Sequence, residues 1–502
     1  MRHLEKGCKM NILDKMLTPF APKWVANRLR SQMAVKMMDK EIRKYEGAGR
    51  GRRFSDSNRV GVSHNTEIVM DLPLLKERSK NLTQNNPYAK NAIRKIGNRI
   101  VGTGIVGTPI SKSKNKVHEK QAKNTWKEWA ESTECDFDGN SNFYGIQKLV
   151  IKTVSRSGSC LIRRIWFRKN KKGNSIPLKI QVLHPDFLDH TKNVQSMDNG
   201  EYIINGIHFS SNGQKKAYWL FDRNPKEFYT VSKPVPAEDI SCVFEIDEPG
   251  QVIGVPWLAP VILRMQDFDE YEDAQLMKQK VAACFAVFIQ SPDNGVPNST
   301  DDSEMIDRIE PGIVQRGQPG ETFTFSSPPS TEGFSEFSRQ SLQGQAAGIG
   351  LSYESFTGDL SNVNFSSGRM GWIDFQGNIE DWQWNMLIPM FCDVVWGWFV
   401  QAAYLTGKVP DSEMKVTWTA PRREMIDPVK ETLALIKQIR AGLISWQDAV
   451  RQLGYNPDEI LEQMKKDKEN FDLAGVMPES DPRYDAERMN KDIQNENQKP
   501  DE

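Results

Sequence analysis

The side chains best suited to chemistry are five carboxylates near the middle of the chain: Asp267, Asp269, Glu270, Glu272 and Asp273. On a helix Asp269, Glu272 and Asp273 would share one face, because residues three and four apart are neighbours. Clustered carboxylates can hold the divalent cations of a nuclease. They are also typical of a solvated helix face, or of a surface that repels DNA phosphates over a screening length of ~10 Å in 0.1 M salt. We favour the solvated face and keep the nuclease as an alternative.

A second polar cluster lies between His184 and His190, where two imidazoles and the carboxylates Asp186 and Asp189 fall within seven residues. Such ligands suit a transition metal. Pro185 indicates a polar turn instead, and no helix carries two histidines at metal-binding spacing. We therefore predict no metal site, no cofactor and no catalytic residue.

Two nucleotide-binding patterns can be tested by their context. Gly102, Gly104 and Gly107 match G-x-G-x-x-G, but a predicted helix precedes them and Pro109 follows, whereas a dinucleotide site needs a strand before and a helix after. We predict a turn leaving a helix. The sequence has no G-x-x-x-x-G-K-[ST] motif, which excludes a DNA-translocating ATPase of the usual kind.

Composition narrows the class of protein further. The chain has 502 residues, 66 basic and 66 acidic, so its net charge is zero, unlike that of a DNA-wrapping protein. Basic residues dominate 1–59, and acidic residues dominate from Asp458 onward. The six scattered cysteines predict reduced thiols. Residues 386–405 are apolar enough to span a membrane, but Pro389, Asp393 and Gln401 interrupt them. A buried helix is the favoured interpretation, and a membrane-associated protein stays open as a third alternative.

These residues must be positioned by an α+β fold. Runs rich in β-branched and aromatic residues, bounded by Gly, Asn and Pro, predict a mostly antiparallel sheet region over 142–245, with Pro234 and Pro236 closing its last loop. The longest predicted helix, 255–289, would form a rod of about 50 Å. Further helices are predicted over 20–46, 72–99 with a turn at 85–87, 116–132, 301–309, 334–349 and 369–404 with a kink at Pro389.

Capping residues and glycine-rich stretches place the remaining elements. Asp427 and Ser445 are predicted to cap two C-terminal helices, and short strands are predicted near 313–315 and 322–325. A Gly/Ser/Asn loop over 357–368 leads into the aromatic helix, with Ser366 or Ser367 as its N-cap. The polar segment after about 478 is predicted to be disordered.

Four motifs in order resemble the lambda-type phage portal proteins. They lie at 75–106 with 126–131, at 249–263, at 346–371 and at 426–454. The strongest is AGIGLSYESFTGDLSNVNFSSGRMG, and order and spacing agree over residues 45–470. Two positions depart from the pattern: Ile253 stands where relatives often carry Arg, and Phe365 where Tyr is common.

The resemblance implies a non-enzymatic ring, usually of twelve subunits, at one vertex of the phage head. Double-stranded DNA would enter and leave through it, and the partners would be the terminase large subunit, the head–tail connector and the major capsid or scaffold protein. The protein would be assembled in the bacterial cytoplasm and carried in the virion. The implied parts are a basic arm (1–59), a wing (60–254), a stem helix (255–289), a clip (290–333), a second stem helix (334–350), a tunnel loop with a kinked aromatic helix (351–426), a helical crown (427–470) and a disordered acidic tail (471–502).

The resemblance also implies which residues meet DNA. The tunnel loop would contribute Asn362, Asn364, Phe365, Ser366, Ser367 and Arg369. The acidic stem, with Asp269, Glu272 and Asp273, would line the channel and keep DNA from sticking. Neutral net charge suits such a passage, because every phosphate neutralised adds salt-dependent affinity.

Overall fold

The computed structural model describes most of the chain beyond residue 63, in the ranges 64–112, 115–167, 176–283, 287–290, 322–325, 333–361, 363–421, 425 and 427–476. The predicted basic arm, the helices over 20–46 and 301–309, the strand near 313–315 and the tail after 478 lie outside these residues. So does Asn362.

Two helices open the described part, α1 (His64–Asn85) and α2 (Pro87–Val101). The predicted turn between them is confirmed. Asn86 accepts a hydrogen bond from the amide of Ala89, and Pro87 stands at the first helical position, where its missing N–H breaks no helix bond. The start predicted at Leu72 is wrong: Pro73 is typical of a first turn but lies inside α1.

A strand and two further helices follow: β1 (Val106–Ser111), α3 (Lys116–Glu131) and α4 (Phe143–Ser157). The glycine motif leaves α2 and enters extended chain, as predicted. Gly104 has φ of +128°, and a Cβ there would lie 2.3 Å from Cδ1 of Tyr144, so close packing explains this glycine. The helix predicted over 116–132 is confirmed, and Trp126 and Trp129 on it are buried.

All named strands between α4 and the acidic helix pair antiparallel, as predicted. They are β2 (Ser159–Trp166), β3 (Leu178–Leu183), β4 (Tyr202–Ile204), β5 (Ile207–Phe209), β6 (Lys215–Phe221), β7 (Ser232–Pro236) and β8 (Ile240–Phe244). They form two sheets, of orders β3-β2-β8 and β4-β5-β6-β7. Two details of the prediction are wrong. The first part of the region, 143–157, is helix α4, and Pro234 and Pro236 belong to edge strand β7, where a missing N–H is tolerated.

The predicted 255–289 helix is shorter than expected. A 3₁₀ turn at Ala259–Val261 leads into α5 (Ile262–Ala283), and Val287–Gln290 forms strand β9. Strand β9 pairs with β10 (Thr322–Phe325). The last residues of the predicted helix therefore form a strand, because they pair with a segment distant in sequence. The strand predicted at 322–325 is confirmed.

Helix α6 (Phe334–Ile349) matches its prediction and is followed by a short helix, α7 (Tyr353–Thr357). A continuous helical path then comprises α8 (Phe365–Asp381), a π-helical stretch (Trp382–Cys392) and α9 (Asp393–Leu405). The predicted irregularity at Pro389 takes the form of this π-helix, in which the amide of Asp393 donates to Ile388 O. Wider winding accommodates a residue that cannot donate its own bond.

The remaining elements are β11 (Met414–Thr419), α10 (Pro428–Arg440), α11 (Trp446–Gln452) and α12 (Pro457–Ala474). Strand β11 pairs with β1 and so joins two segments that are about 300 residues apart in sequence. The caps predicted at Asp427 and Ser445 are confirmed. The predicted tail from 471 begins too early, because α12 continues to Ala474 and is capped by Gly475.

An aromatic cluster forms the centre of the larger core. Trp126 packs edge-on against Phe143 and Phe399 at centroid distances of 5.0 and 4.8 Å, and Phe143 stacks on Phe391 at 5.4 Å. The π-helix and α9 supply much of this core. Among the described residues, one helical path (Ser366–Leu405) is long and apolar enough to cross a membrane, and 67% of its 18-residue apolar window is buried within the chain. This burial fits a core helix.

Candidate nucleic-acid interface

The predicted DNA-facing loop is bounded by two helix ends. Gly358 ends α7 with φ of +84°, and the chain reaches α8 at residue 365. Asp359 accepts hydrogen bonds from the amide and the hydroxyl of Ser361 at 3.0 and 2.6 Å. These bonds hold the pKa of Asp359 below its ordinary value, so the loop carries a charged carboxylate near neutral pH.

Most of the predicted loop contacts lie in the first turn of α8. Asn364 is the N-cap: its side chain accepts from the amide of Ser367 at 2.8 Å, and the Ser367 hydroxyl accepts from the amide of Asn364 at 3.2 Å. The predicted loop over 357–368 is therefore too long, and the predicted caps Ser366 and Ser367 are wrong by two or three residues. The reciprocal pair fixes the start at Phe365, because it satisfies two amides that would otherwise lack partners.

Arg369 is exposed and faces a cleft between α8 and α10. The cleft has a volume of about 510 Å³, and its walls include Trp372 from α8 and Glu431 and Leu435 from α10. The guanidinium of Arg99 on α2 lies 4.7 Å from the ring centroid of Trp372. Two basic side chains, Arg369 and Arg99, therefore lie near the first turns of α8.

The acidic run divides between two sides of α5. Asp269 is half-buried and accepts hydrogen bonds from Nδ2 of Asn86 at 2.7 and 3.0 Å. Glu272 is also half-buried, and burial, with Asp269 and Asp273 nearby, raises its pKa. Of the three predicted channel residues, only Asp273 is exposed. The bond from Asn86 ties α5 to the cap of α2, and its members are too distant in sequence for any local pattern to reveal it.

The histidine cluster forms a structural network. Nε2 of His184 lies 2.9 Å from the Ser157 hydroxyl, its Nδ1 lies 3.3 Å from both the amide nitrogen and a carboxylate oxygen of Asp186, and Lys76 forms an ion pair with Asp186. Burial acts to raise the pKa of Asp186, but hydrogen bonds from His184 and Lys76 lower it below its ordinary range. The network joins α1 and α4 to the turn after β3.

No metal centre emerges from the part of the chain that the structure describes. No group of three or more His, Cys, Asp or Glu side chains in these ranges is arranged to hold a metal ion. The nuclease alternative, which needs such a group at Asp269, has no support.

Sequence reasoning missed an exposed apolar stripe that runs along α8 into the start of the π-helical stretch. Met370, Ile373 and Trp384 are about half exposed or more, and Gly377 lies between them with nothing within 4 Å of the position of a Cβ. Their spacing of three, four and seven residues, which keeps them on one side of a helix, is the signal that was available. Helix α10 likewise has no buried residue, and its apolar side chains Val429, Leu433 and Ile436 are exposed.

The geometry therefore defines an α+β protein with a buried aromatic helix and apolar helix faces left open. The family model "Phage portal protein, lambda family" matches residues 50–383. The chain belongs to this family, and its function is that of a phage portal protein.

Two known portal proteins are similar in sequence to this chain over most of its length. The probable portal protein of Halomonas phage phiHAP-1 is 25% identical over 445 residues, which cover 82% of each chain. Portal protein B of Escherichia phage lambda is 21% identical over 485 residues, covering 86% of this chain and 90% of that one.

Two solved structures are similar at lower identity. The virion of a native gene transfer agent particle contains a chain that is 11% identical with a TM-score of 0.46, covering 77% of this chain and 94% of that one. An HK97 family phage portal protein from Corynebacterium diphtheriae is 10% identical with a TM-score of 0.34, covering 71% and 97%.

Proposed function

We propose that this portal protein forms a closed ring, of twelve subunits, at one vertex of a phage head, and that double-stranded DNA passes through it during packaging and ejection. The observation that carries the proposal is the family match over residues 50–383. The exposed apolar faces of α8 and α10 support it, because a ring uses heterologous contacts that bury such faces only on assembly. The chain would be a virion component assembled in the bacterial cytoplasm.

The partners follow from the position of such a ring. The terminase large subunit and later the head–tail connector would dock at the clip, 290–333, and the major capsid or scaffold protein would contact the outer surface or the basic arm. Residues 60–254 would form the wing, α5 and α6 the stem, and α10 to α12 the crown. These assignments suit the described elements, since α5 and α6 pack together through Tyr271, Phe334 and Phe337.

The loop 358–364 and the first turn of α8 would face the DNA. A helix N-terminus presents amides and a positive dipole end to phosphates, and here Arg369 adds a charge one turn further along. Ser366 and Arg369 are exposed, whereas Asn364 and Ser367 are engaged in the cap. On the acidic helix, Asp273 remains available to repel DNA. We propose no catalytic role for any of these residues.

The mass and symmetry of the purified protein test the ring directly. Twelve copies of 57.3 kDa give a particle of about 690 kDa, and class averages would show a central hole. A stable monomer or dimer under assembly-permissive salt would contradict the proposal.

A cleavage assay tests the absence of enzymatic activity. The wild type and the Asp269→Asn, Asp273→Asn double variant are each incubated with linear duplex DNA and Mg²⁺ or Mn²⁺. We expect no cleavage by either protein. Cleavage by the wild type that is lost in the double variant would contradict this proposal and support the nuclease alternative.

A further inference from the structure

Three Asn-Gly pairs lie in turns of the four-stranded sheet or at its entrance: 199–200 before β4, 205–206 between β4 and β5, and 212–213 between β5 and β6. A fourth pair, 294–295, lies outside the described residues. Asparagine is a thermolabile residue, and a following glycine leaves the attacking backbone nitrogen unshielded by a Cβ. The sheet therefore offers the same reactive dipeptide in three different surroundings.

The pair between β4 and β5 is protected by burial. Asn205 is 2% exposed with φ of +54°, and its side-chain amide donates to Asn65 O at 3.4 Å. The amide of Gly206, which would be the nucleophile, donates to Lys192 O at 2.9 Å. A Cβ on Gly206 would lie 2.5 Å from Asp189 O, so the turn is tightly packed. The loss of the side-chain amide also needs water, which burial keeps away.

The other two pairs lie in exposed turns with the same backbone hydrogen bonds. In each turn the residue two before the asparagine donates its amide to the carbonyl of the residue two after it, at 2.8 Å around Asn199 and at 2.9 Å around Asn212. The glycines that follow have φ of +76° and +82°. Both are three-residue hairpin loops that end on a left-handed glycine, and both asparagines are exposed. Differences in reactivity between them therefore depend on the surrounding side chains.

Two donors contact the side-chain oxygen of Asn212. The Ser210 hydroxyl and the Gln214 amide both donate to Oδ1, the second at 3.3 Å. The hydroxyl has a single proton, and Gln214 O at 3.1 Å is its alternative acceptor. Negative charge develops on Oδ1 when the Gly213 nitrogen attacks Cγ, and donors placed where charge develops lower the barrier. Gly213 has open surroundings, since Tyr202 Oη, at 3.8 Å from a Cβ position, is the nearest atom beyond its chain neighbours.

Asn199 has a less favourable environment. Its Oδ1 accepts from the amide of Glu201 at 3.1 Å, while the nearby Ser196 hydroxyl donates to Met197 O at 3.4 Å instead. Hydrogen bonds, chiefly from Lys216 and also from Asn199, lower the pKa of the Glu201 carboxyl. A negative charge therefore lies beside Asn199, and it opposes the negative charge that develops during the attack.

We propose that Asn212 deamidates spontaneously in the folded protein with assistance from the Ser210 hydroxyl, that Asn199 reacts more slowly, and that Asn205 does not react. The site is one of covalent modification, and it is independent of the proposed DNA passage. Each event adds one negative charge to a subunit whose net charge is zero.

The reaction needs water and no other reagent. The Gly213 nitrogen gives up its proton to solvent and bonds to Cγ of Asn212, the bond from Cγ to Nδ2 breaks, and ammonia leaves with a proton from solvent. Water then opens the cyclic imide at one of its two carbonyls. The product is aspartate, or isoaspartate, which lengthens the main chain of the turn between β5 and β6 by a methylene group.

The test follows the three sites in the purified full-length protein. The protein is incubated at mildly alkaline pH in heavy-oxygen water, and peptide mapping by mass spectrometry measures the labelled aspartate and isoaspartate formed. We expect label to appear first at 212, then at 199, and not at 205. Equal rates at 212 and 199, or a faster reaction at 199, would overturn the role of the two donors. Label at 205 would overturn the protection by burial.

Substitutions of serine test the assistance directly. Ser210→Ala should slow the reaction at Asn212 by about 2–10-fold, the factor in rate that a hydrogen bond of ordinary net strength gives. Ser210→Thr keeps a hydroxyl and should restore most of the rate. The matched control Ser196→Ala removes the hydroxyl beside the other turn and should leave both sites unchanged. An unchanged or faster reaction in Ser210→Ala would overturn the proposal.

Concentrated urea separates the effect of structure from that of sequence. In the unfolded chain the Ser210 hydroxyl is no longer held against Asn212, so Ser210→Ala should react at the rate of the wild type, and Asn205 should become reactive. If the substitution slows the unfolded chain to the same extent, or if Asn205 stays inert in urea, the order of reaction is a property of the sequence and the proposal is wrong. Melting temperatures of the variants verify that each is folded in the native experiment.

Discussion

The aromatic core around Trp126 and the exposed helix α10 both contain large apolar residues, but only the core buries them within one subunit. Trp126 and Phe143 are almost fully buried, and the indole N–H of nearby Trp396 donates to Met414 O at 2.9 Å. On α10, Val429, Leu433 and Ile436 lie on one helical face and are 40–69% exposed. The difference indicates which apolar surfaces are buried when one subunit folds and which remain exposed for contact with a neighbouring subunit.

The largest effect is expected in the core. Phe391→Ala removes a fully buried ring that stacks on Phe143, and large-to-small changes of this kind destabilise by about 3–5 kcal/mol. Guanidinium unfolding followed by tryptophan fluorescence measures the loss. The exposed counterpart Leu433→Ala should change the free energy of unfolding of the dissociated subunit by less than about 0.5 kcal/mol. Similar losses of unfolding free energy from both substitutions would contradict the distinction between a buried core and an exposed α10.

The polar network beside the core should make stability depend on pH. His190 is half-buried, and burial, with Lys76 nearby, lowers its pKa from 6.5 to about 4. The unfolded chain therefore binds this proton more readily than the folded chain does. Stability is complete above about pH 6.5 and falls as the pH drops toward 4, by about 2–3 kcal/mol. His190→Gln should make the melting temperature nearly independent of pH between pH 4 and 6.5. An unchanged dependence of the melting temperature on pH would exclude His190 as its cause.

A smaller effect is expected where the loop meets α8. Asn364→Ala removes the N-cap and should destabilise by about 1 kcal/mol, while Asn364→Asp keeps an acceptor and should cost little. The experiment compares the melting temperatures of the two variants with that of the wild type. Equal losses would mean that the start of α8 does not depend on this cap.

Local signals in the sequence account for much of this fold. Asn86 with Pro87, Asp427 with Pro428, and the antiparallel strands could be predicted because caps and alternation are properties of short segments. The failures have a common cause. Helix α5 ends early because β9 pairs with β10, and Asp269 turns inward because Asn86 binds it. Such contacts join distant residues, so no local pattern reveals them. At the loop we predicted Ser366 or Ser367 as the cap, whereas the hydrogen bonds of the structure select Asn364.

The smallest effect tests whether the stripe on α8 is a subunit contact. Gly377 and Gly397 both lie within helices, and neither has an atom within 4 Å of a Cβ position. Alanine at either site should stabilise the isolated subunit by about 0.5–1 kcal/mol, because glycine is a poor helix former. Only Gly377 lies in the apolar stripe between Ile373 and Trp384.

If a neighbouring subunit packs closely there, Gly377→Ala should shift the assembly midpoint to higher protein concentration while raising the subunit's own melting temperature. Gly397→Ala serves as the matched control and should raise the melting temperature alone. Unchanged assembly in Gly377→Ala would mean that the glycine makes no close contact in the ring. The stripe on α8 would then resemble the exposed surface of an ordinary helix, and α10 would remain as the apolar face available for a neighbour.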